Sequence, residues 1–239
     1  MKVEKSVLMD YKILILSTVI VFMFTTLSLA YDLREYYPLS QGDSWTYSVI
    51  EGEESERRNL RIDGEEIVNG IKTVRIFSGE DEYNCIAFDS EGIKKYKEFD
   101  IEDNEYEIYN PPKLIFPNIE IGEVKEYSTN WIEYGMNGEK KEEGTETGQI
   151  KLESIENIEV PAGRFTDCLK FSIFSEEKDT AGNYEKGDCS VWLALGVGKV
   201  KEFCIDTEYE AETQKEDTSI EIVELVSAVV DGKRIGRQE

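Results

Sequence analysis

The sequence predicts an all-β protein, a large antiparallel sheet of roughly 12–14 strands of ordinary length that curves into a clam, a half-barrel or a barrel. Few or no helices are expected after the N-terminal segment. Apolar and polar residues alternate, as in the stretch where Trp45, Tyr47 and Val49 share one face of a strand. Turn signals recur between such stretches: Asn69-Gly70, for example, is a dipeptide typical of a two-residue hairpin. No long segment has a helical period of apolar residues.

Residues 1–30 form a targeting segment. Lysines precede an apolar run over 13–30, and the run ends in Ser28-Leu29-Ala30, with small residues at the two positions that signal peptidase recognises. We expect a signal peptide here. Because the apolar run is also long enough to cross a bilayer, an uncleaved N-terminal anchor is the alternative. Both interpretations predict an extracytoplasmic location, either secreted or in the cell envelope, for the rest of the chain.

Residues 31–230 are expected to form a single all-β exported domain, followed by a frayed tail over 231–239. The charged stretch Glu139–Gly148 has few apolar residues, which favours an exposed excursion. After it, Ile155 falls out of phase with the apolar alternation on either side, which predicts a β-bulge or a tight turn near Glu156-Asn157.

The composition excludes several functions. The 51 acidic residues outnumber the 27 basic ones, and the net charge is −24. Such a chain lacks the basic footprint of a nucleic-acid binder or of a protein that docks on anionic lipids. We attribute the acidity to solubility, with cation binding as the alternative.

There is no histidine, which removes His-dependent catalysis and His-ligated zinc, and there are no paired C-x-x-C knuckles for a Cys₄ zinc site. We therefore expect no enzyme activity, no cofactor and no metal.

The even number of cysteines in an exported chain predicts disulfides. A glycine-first, two-residue turn at Gly196-Val197 would pair Leu195 with Gly198. Counting outward places Cys189 opposite Cys204, at a Cα separation of about 5.5 Å if that pair is hydrogen-bonded. Cys85–Cys168 is then the second bridge by elimination. Four cysteines allow three connectivities, so the other pairings remain open.

Three short motifs stand in order along the chain. Pro161 and Gly163 bracket a sharp corner, because proline fixes φ and removes a donor while glycine permits the angles that a corner needs. The motif residues are Pro38, Gly42, Trp45 and Tyr47 in the first, Pro161, Gly163 and Phe165 in the second, and Trp192, Gly196 and Gly198 in the third.

Together, these motifs resemble the TapB-like exported domains of unknown function. The resemblance implies a curved antiparallel sheet akin to the LolA-like lipoprotein-carrier half-barrel, with no known activity and no catalytic residues. Many members of that group are lipoproteins. This chain lacks their anchoring cysteine.

We expect an exported, non-enzymatic binding or scaffold module, whose partner is an apolar or peptide ligand or an envelope protein. A concave sheet face could hold such a ligand, although the same aromatic residues could instead form the core. A filled interior would favour a structural or adhesion module. The aromatic residues are Trp45, Tyr47, Phe88, Tyr96, Phe171 and Trp192.

Two other functions have less support. A carboxylate-based hydrolase needs two buried carboxylates about 5–9 Å apart in a cleft, and an acidic chain offers many pairs by chance. A calcium site at Asp100–Glu105 would lack the spacing of a calcium loop, so we interpret this segment as a solvated hairpin tip.

Overall fold

Residues 31–236, as described by a computed structural model, fold into one antiparallel sheet of thirteen strands in sequence order. Residues 1–30, the predicted targeting segment, and the last residues, 237–239, lie outside the described part of the chain. No helix within residues 31–236 has the length and apolar character needed to cross a membrane. One short helix, α1 (Leu33–Tyr36), precedes the sheet, and Asp32 caps it by accepting a hydrogen bond from the Arg34 amide.

The sheet closes because β1 pairs with both β2 and β12. The result is a closed antiparallel barrel of twelve strands with one extra strand, which confirms the predicted fold class. Closure leaves the twelve ring strands without the unpaired edges of an open sheet. The strands are β1 (Ser44–Glu51), β2 (Glu54–Val68), β3 (Ile71–Ser78), β4 (Glu82–Phe88), β5 (Gly92–Asp100), β6 (Glu105–Pro117), β7 (Val124–Gly135), β8 (Lys140–Val160), β9 (Gly163–Asp179), β10 (Tyr184–Ala194), β11 (Gly198–Glu210), β12 (Lys215–Val230) and β13 (Lys233–Gly236).

Two hairpins follow the predicted turn chemistry. Val68 pairs with Ile71, so Asn69-Gly70 is a two-residue loop, and both loop residues have positive φ, of 51° and 80°, as a type I′ turn requires. Val160 pairs with Gly163, which makes Pro161-Ala162 the corner between β8 and β9. The bulge expected near Glu156-Asn157 is present as a register shift between Glu156 and Ile158.

Two segments expected to be irregular are strands instead. Residues 140–148 of the predicted exposed excursion belong to β8, whose side chains alternate between buried and exposed positions. They lack apolar residues because they line the polar end of the barrel. In the predicted frayed tail, residues 233–236 form β13, which pairs with residues 227–230 of β12. β11 does not extend along that part of β12, so β13 satisfies backbone groups that β11 leaves unpaired.

The turn between β10 and β11 is one residue longer than predicted. Ala194 pairs with Gly198, which leaves the three residues 195–197 in the loop. A register shift between Trp192 and Leu193 then places one extra residue in β11. The two deviations cancel, so that Cys189 still lies opposite Cys204.

The cysteines form one disulfide. Cys189 and Cys204 are bonded, with a Cα separation of 4.2 Å. This distance is nearer to the about 4.5 Å of a non-hydrogen-bonded pair than to the about 5.5 Å expected for a hydrogen-bonded one. The second predicted bridge is wrong: Cys85 and Cys168 are buried free thiols. Elimination failed because the two lie in separate apolar clusters, Cys168 in the main core and Cys85 in a small cluster with Val68, Ala87 and Tyr96.

The barrel interior changes character along its length. On the buried face of the β8–β9 ladder, cross-strand pairs pass from large apolar residues, through small ones, to carboxylates. The apolar end holds a core cluster that draws on most of the strands. The carboxylates mark the opposite end. From the apolar end to the carboxylate end, the cross-strand pairs on the buried face of the β8–β9 ladder are Leu152–Phe171, Ile150–Ile173, Gly148–Ser175 and Glu146–Glu177.

Candidate functional site

The aromatic residues expected to line a concave binding face belong to the core. Trp45, Tyr47, Phe171 and Trp192 are buried in the main cluster, and Tyr96 is buried in the small one. Phe88 is half-buried against the main core, with the Arg34 guanidinium 5.4 Å from its ring centre. The cavity next to Trp45 and Tyr47 measures only about 60 Å³. This part of the interior is filled.

The structure brings the first and third sequence motifs together inside the barrel. Trp45 donates its indole N–H to the Val197 carbonyl at 2.7 Å, and the Tyr47 hydroxyl donates to the Lys199 carbonyl at 2.9 Å. A β-carbon on Gly198 would lie 3.5 Å from Trp45 Nε1 and 3.7 Å from Pro38 Cδ. The motif residues therefore fasten β1 to the β10–β11 turn.

The other motif residues form turns, hydrogen bonds or core contacts within the fold. Gly42 has a φ of 90°, and its amide donates to the Ile62 carbonyl. Trp192 is buried and donates its Nε1–H to Glu156 at 3.0 Å. At the Pro161 corner, the Ala162 amide donates to the Leu225 carbonyl, and Phe165 packs against the core. The other turn glycines, Gly163 and Gly196, have φ values of 132° and 67°.

A large cavity of about 510 Å³ lies at the end of the barrel that carries the carboxylates. We call it the acidic cavity. Its lining contains nine carboxylate side chains and one lysine, with two tyrosines, a tryptophan and an asparagine. The lining residues are Glu107, Trp131, Glu133, Glu142, Glu177, Asp179, Asn183, Tyr184, Glu185, Glu208, Tyr209, Glu210, Lys215 and Asp217.

Strand register places seven of these nine carboxylates directly opposite one another, in two rows. Like charges at directly opposed positions destabilise a sheet, so each row opposes folding unless protons or cations neutralise it. One row runs Glu107–Glu133–Glu142 across β6, β7 and β8, and the other runs Glu177–Glu185–Glu208–Asp217 across β9, β10, β11 and β12.

The deeper carboxylates are neutralised by lysines inside the barrel. Glu146, which is 1% exposed, pairs with Lys113 at 2.6 Å and accepts a hydrogen bond of 2.6 Å from the Tyr127 hydroxyl. Lys95 is paired in the same way with Glu98. Buried charges in proteins need such partners. The chain itself therefore neutralises these two carboxylates below the acidic cavity.

The carboxylates of the cavity lack such partners. Within residues 31–236, only Asp217 among the nine forms an ion pair, with Lys215, and both of those side chains are exposed. Lys113 still influences the lining from a distance, because its positive charge partly opposes the rise in the pKa of Glu177 that burial causes. The acidic cavity as a whole keeps a large excess of negative charge.

Burial and mutual repulsion raise the pKa of several of these carboxyl groups. The pKa of Glu177 rises to about 7, first because the group is buried and then because Glu146, Glu107 and Glu185 lie near it. Burial likewise raises the pKa values of Glu107 and Glu185. Perturbed carboxyl groups gathered in one cavity are typical of functional sites.

Trp131 gives the cavity a second unusual feature. Its side chain is 5% exposed, and no acceptor for its Nε1–H lies within reach among the described residues. The ring lies against Gly144 on the neighbouring strand, where a β-carbon would be 2.5 Å from Trp131 Cζ2. Glycine at position 144 therefore makes the room that the indole occupies.

The acidic rows were not predicted, although the sequence contains a signal for them. Phe171 and Ile173 mark the buried face of β9, and continuing that alternation by two-residue steps reaches Ser175, Glu177 and Asp179. Carboxylates on the parity of the core are unusual, because a buried charge is costly unless it is paired. The total number of acidic residues does not show which of them lie on the buried face of a strand.

Two other groups of residues could be considered as metal sites, the predicted hairpin tip at Asp100–Glu105 and a cluster around the disulfide. Residues 101–104, at the centre of the predicted hairpin tip, form the loop between β5 and β6, in which the Asp103 amide donates to Asp100 at 2.8 Å. Cys189, Cys204 and Asp206 lie within 4.8 Å of one another, but the two sulfurs are bonded to each other and offer no thiolate to a metal.

Comparisons with known proteins add little to this geometry. No protein-family model matches the chain, and no curated protein matches it significantly. One solved structure is similar, a "putative lipoprotein" from Parabacteroides distasonis ATCC 8503. It shares 15% identity and a TM-score of 0.34 over 80% of this chain and 97% of that one. At that TM-score the likeness carries no argument about fold or function.

Proposed function

We propose that the protein is an exported, non-enzymatic binding module that takes a positively charged ligand into the acidic cavity. The observation that carries this proposal is the lining itself, in which nine carboxylates face a cavity of about 510 Å³ with a single lysine among them. A cationic ligand would relieve the repulsion between directly opposed carboxylates, which the chain leaves unrelieved.

The size of the cavity supports a binding module more than a structural one. Ligand sites in proteins commonly measure about 300–1,000 Å³, and the acidic cavity falls within that range. The apolar core supplies stability, and the polar end supplies the site. An apolar ligand, which the sequence also allowed, has less support because the aromatic residues are packed into the core.

Export is supported by the disulfide. Structural disulfides persist in oxidising compartments and are rare in the cytosol, and Cys189–Cys204 is such a bond inside the barrel. The targeting pattern of residues 1–30 points to the same location. The proposed place of action is therefore outside the cytoplasm, in the secreted space or the cell envelope.

Calorimetric titration with the polyamine spermidine tests the function. We expect binding that weakens as salt is added, because the attraction is electrostatic and screened, and no binding of an uncharged or anionic solute of similar size. The double variant Glu185→Gln, Glu208→Gln should weaken binding at least tenfold. Glu53→Gln, which changes an exposed residue between β1 and β2, is the matched control and should leave affinity unchanged. Equal affinity for neutral and cationic solutes would refute the proposal.

A further inference from the structure

We infer that the barrel contains a second ligand site, which takes a small, uncharged and mostly apolar molecule. The site is a cavity of about 270 Å³ that shares no lining residue with the acidic cavity. Like the acidic cavity, it is open rather than enclosed. We call it the aliphatic cavity, because its apolar lining consists of Leu60, Ile76, Ile86 and Ile115 with the side chain of Tyr37. This site goes beyond the proposed function, which concerns the acidic cavity alone.

Strand register gathers the lining on the inner face of the barrel. Residues directly opposite one another on neighbouring strands lie on the same face. Leu60 lies opposite Trp45, whose side chain belongs to the main core. Ile86 also packs in the main core and lies opposite Lys95, which in turn lies opposite Lys113. The aliphatic cavity therefore lies inside the barrel, along the wall that β2 to β6 form.

Two of the aliphatic side chains keep part of their surface uncovered. Leu60 and Ile115 pack against the main core but are only partly buried, and both line the cavity. Ile76 and Ile86, by comparison, are buried. Covering apolar surface is favourable by about 25 cal/mol per Å². A ligand that replaces water in the cavity gains this energy only if its own surface against Leu60 and Ile115 is apolar.

The charges of the lining favour an uncharged ligand. Two lysines line the cavity, and each has a carboxylate partner inside the barrel: Lys95 pairs with Glu98, and Lys113 pairs with Glu146 at 2.6 Å. An anionic ligand would have to compete with these carboxylates, and a cationic one would meet two ammonium groups. In this respect the aliphatic cavity differs from the acidic cavity, whose carboxylates lack such partners.

The size and the lysines define the ligand further. Sites for drug-sized ligands measure about 300–1,000 Å³, and the aliphatic cavity falls just below this range. An ammonium group has three donor hydrogens, so Lys113, whose side chain is 26% exposed, can donate to one acceptor in addition to Glu146. The ligand class is therefore a small uncharged molecule with an apolar body and one hydroxyl or carbonyl group.

Two fluorophores with the same aromatic body test the inference on the full chain. N-phenyl-1-naphthylamine is uncharged, and 1-anilinonaphthalene-8-sulfonate adds one sulfonate. In fluorescence titrations, the wild type should bind the uncharged probe at least about tenfold more tightly, because burying an unpaired charge is costly. Saturating spermidine should not displace that probe, since the two sites are separate.

A matched pair of variants locates the probe. Ile115→Trp places a larger side chain in the aliphatic cavity and should weaken binding of the uncharged probe at least about tenfold. Ile205→Trp makes the same change at an exposed residue outside the cavity lining, and its affinity should stay within about twofold of the wild type.

A second measurement does not depend on the stability of the variants. In the wild type, the methyl resonances of Ile76, Ile86 and Ile115 should shift when the uncharged probe is added, and those of Ile205 should stay in place. Resonances of the cavity that ignore the probe, equal affinity for the two probes, displacement by spermidine, or unchanged affinity in Ile115→Trp would each overturn the inference. A wild type that binds the uncharged probe but not spermidine would overturn the proposed function alone.

Discussion

The indole N–H of Trp45 donates a 2.7 Å hydrogen bond to the carbonyl of Val197, 152 residues later in the chain. The contact lies in the main apolar core. It connects β1 to the β10–β11 turn, which are not neighbours in the sheet. Trp131 has almost the same burial, 5% exposed against 6% for Trp45, but its N–H has no acceptor within residues 31–236.

We predict that Trp45→Phe and Trp131→Phe affect stability differently. Trp45→Phe removes a buried hydrogen bond and leaves the Val197 carbonyl unpaired, which should lower the free energy of unfolding by about 1–3 kcal/mol. Trp131→Phe removes no hydrogen bond and should cost less than Trp45→Phe. Urea unfolding followed by far-UV circular dichroism measures both. Equal losses would contradict the pairing seen in the structure.

Gly144→Ala should destabilise the barrel and disturb the acidic cavity. The added methyl group would meet the Trp131 ring at 2.5 Å and the backbone of Lys178, and overpacking of this kind typically costs about 1–3 kcal/mol. Thr145→Ala, on the exposed face of the same strand, is the control and should change the free energy of unfolding by less than about 0.5 kcal/mol. A Gly144→Ala protein as stable as the control would show that the indole does not lie against position 144.

Folding stability should fall as the pH rises through the range set by Glu177. The folded-state pKa is about 7 and the ordinary value is 4.5, so between these values the folded protein holds a proton that the unfolded chain has released. By linkage, the free energy of unfolding decreases with rising pH in that window. Glu177→Gln should flatten the dependence, as measured by urea unfolding between pH 4.5 and 8. A wild-type protein that gains stability over this range would contradict the assignment.

Cation binding should respond to pH in the opposite direction. Above pH 7 the Glu177 carboxylate is charged, and below it the group is protonated, so affinity for spermidine should rise with pH through about 7. Glu177→Gln should remove much of this rise, and Glu53→Gln should retain it. Calorimetric titrations at pH 6 and pH 8 provide the comparison, and equal affinities at the two values in the wild type would exclude Glu177 from the site.

The disulfide arrangement predicts two free thiols in the oxidised, denatured protein. Thiol titration should count Cys85 and Cys168 and miss the bonded pair. The double variant Cys189→Ala, Cys204→Ala should lower the free energy of unfolding by about 3 kcal/mol, as expected for a bridge that closes a loop of this length. Reductant should destabilise the wild type by a similar amount and leave the variant unaffected. A titration that finds no free thiol would restore the second bridge.

Local rules in the sequence account for much of the barrel. The alternation around Trp45, the Asn69-Gly70 turn and the Pro161 corner each depend on a few neighbouring residues, and each has the predicted form. The pairing of Cys189 with Cys204 was also predicted, and it holds because the longer turn and a bulge that was not predicted shift the register in opposite directions. Such features depend on strand parity and turn chemistry, which short-range patterns express.

Two long-range features required the tertiary structure. Pairing of β1 with β12 closes the sheet, and no local pattern distinguishes closure from an open half-barrel. The thiols of Cys85 and Cys168 remain apart because their strands contribute to different clusters, a fact that cysteine counting does not reveal.

Local sequence patterns are enough to predict an acidic, all-β chain with a targeting pattern, strand-length apolar alternation and turn residues between the strands. The folded barrel is needed to show that the main apolar core lies at one end and that the carboxylates gather at the other. The physical reason is register: side chains alternate faces along each strand, but cross-strand pairing places Glu177 beside Glu185 and Glu208. A cavity with the charge to hold a cation exists only once those strands are aligned.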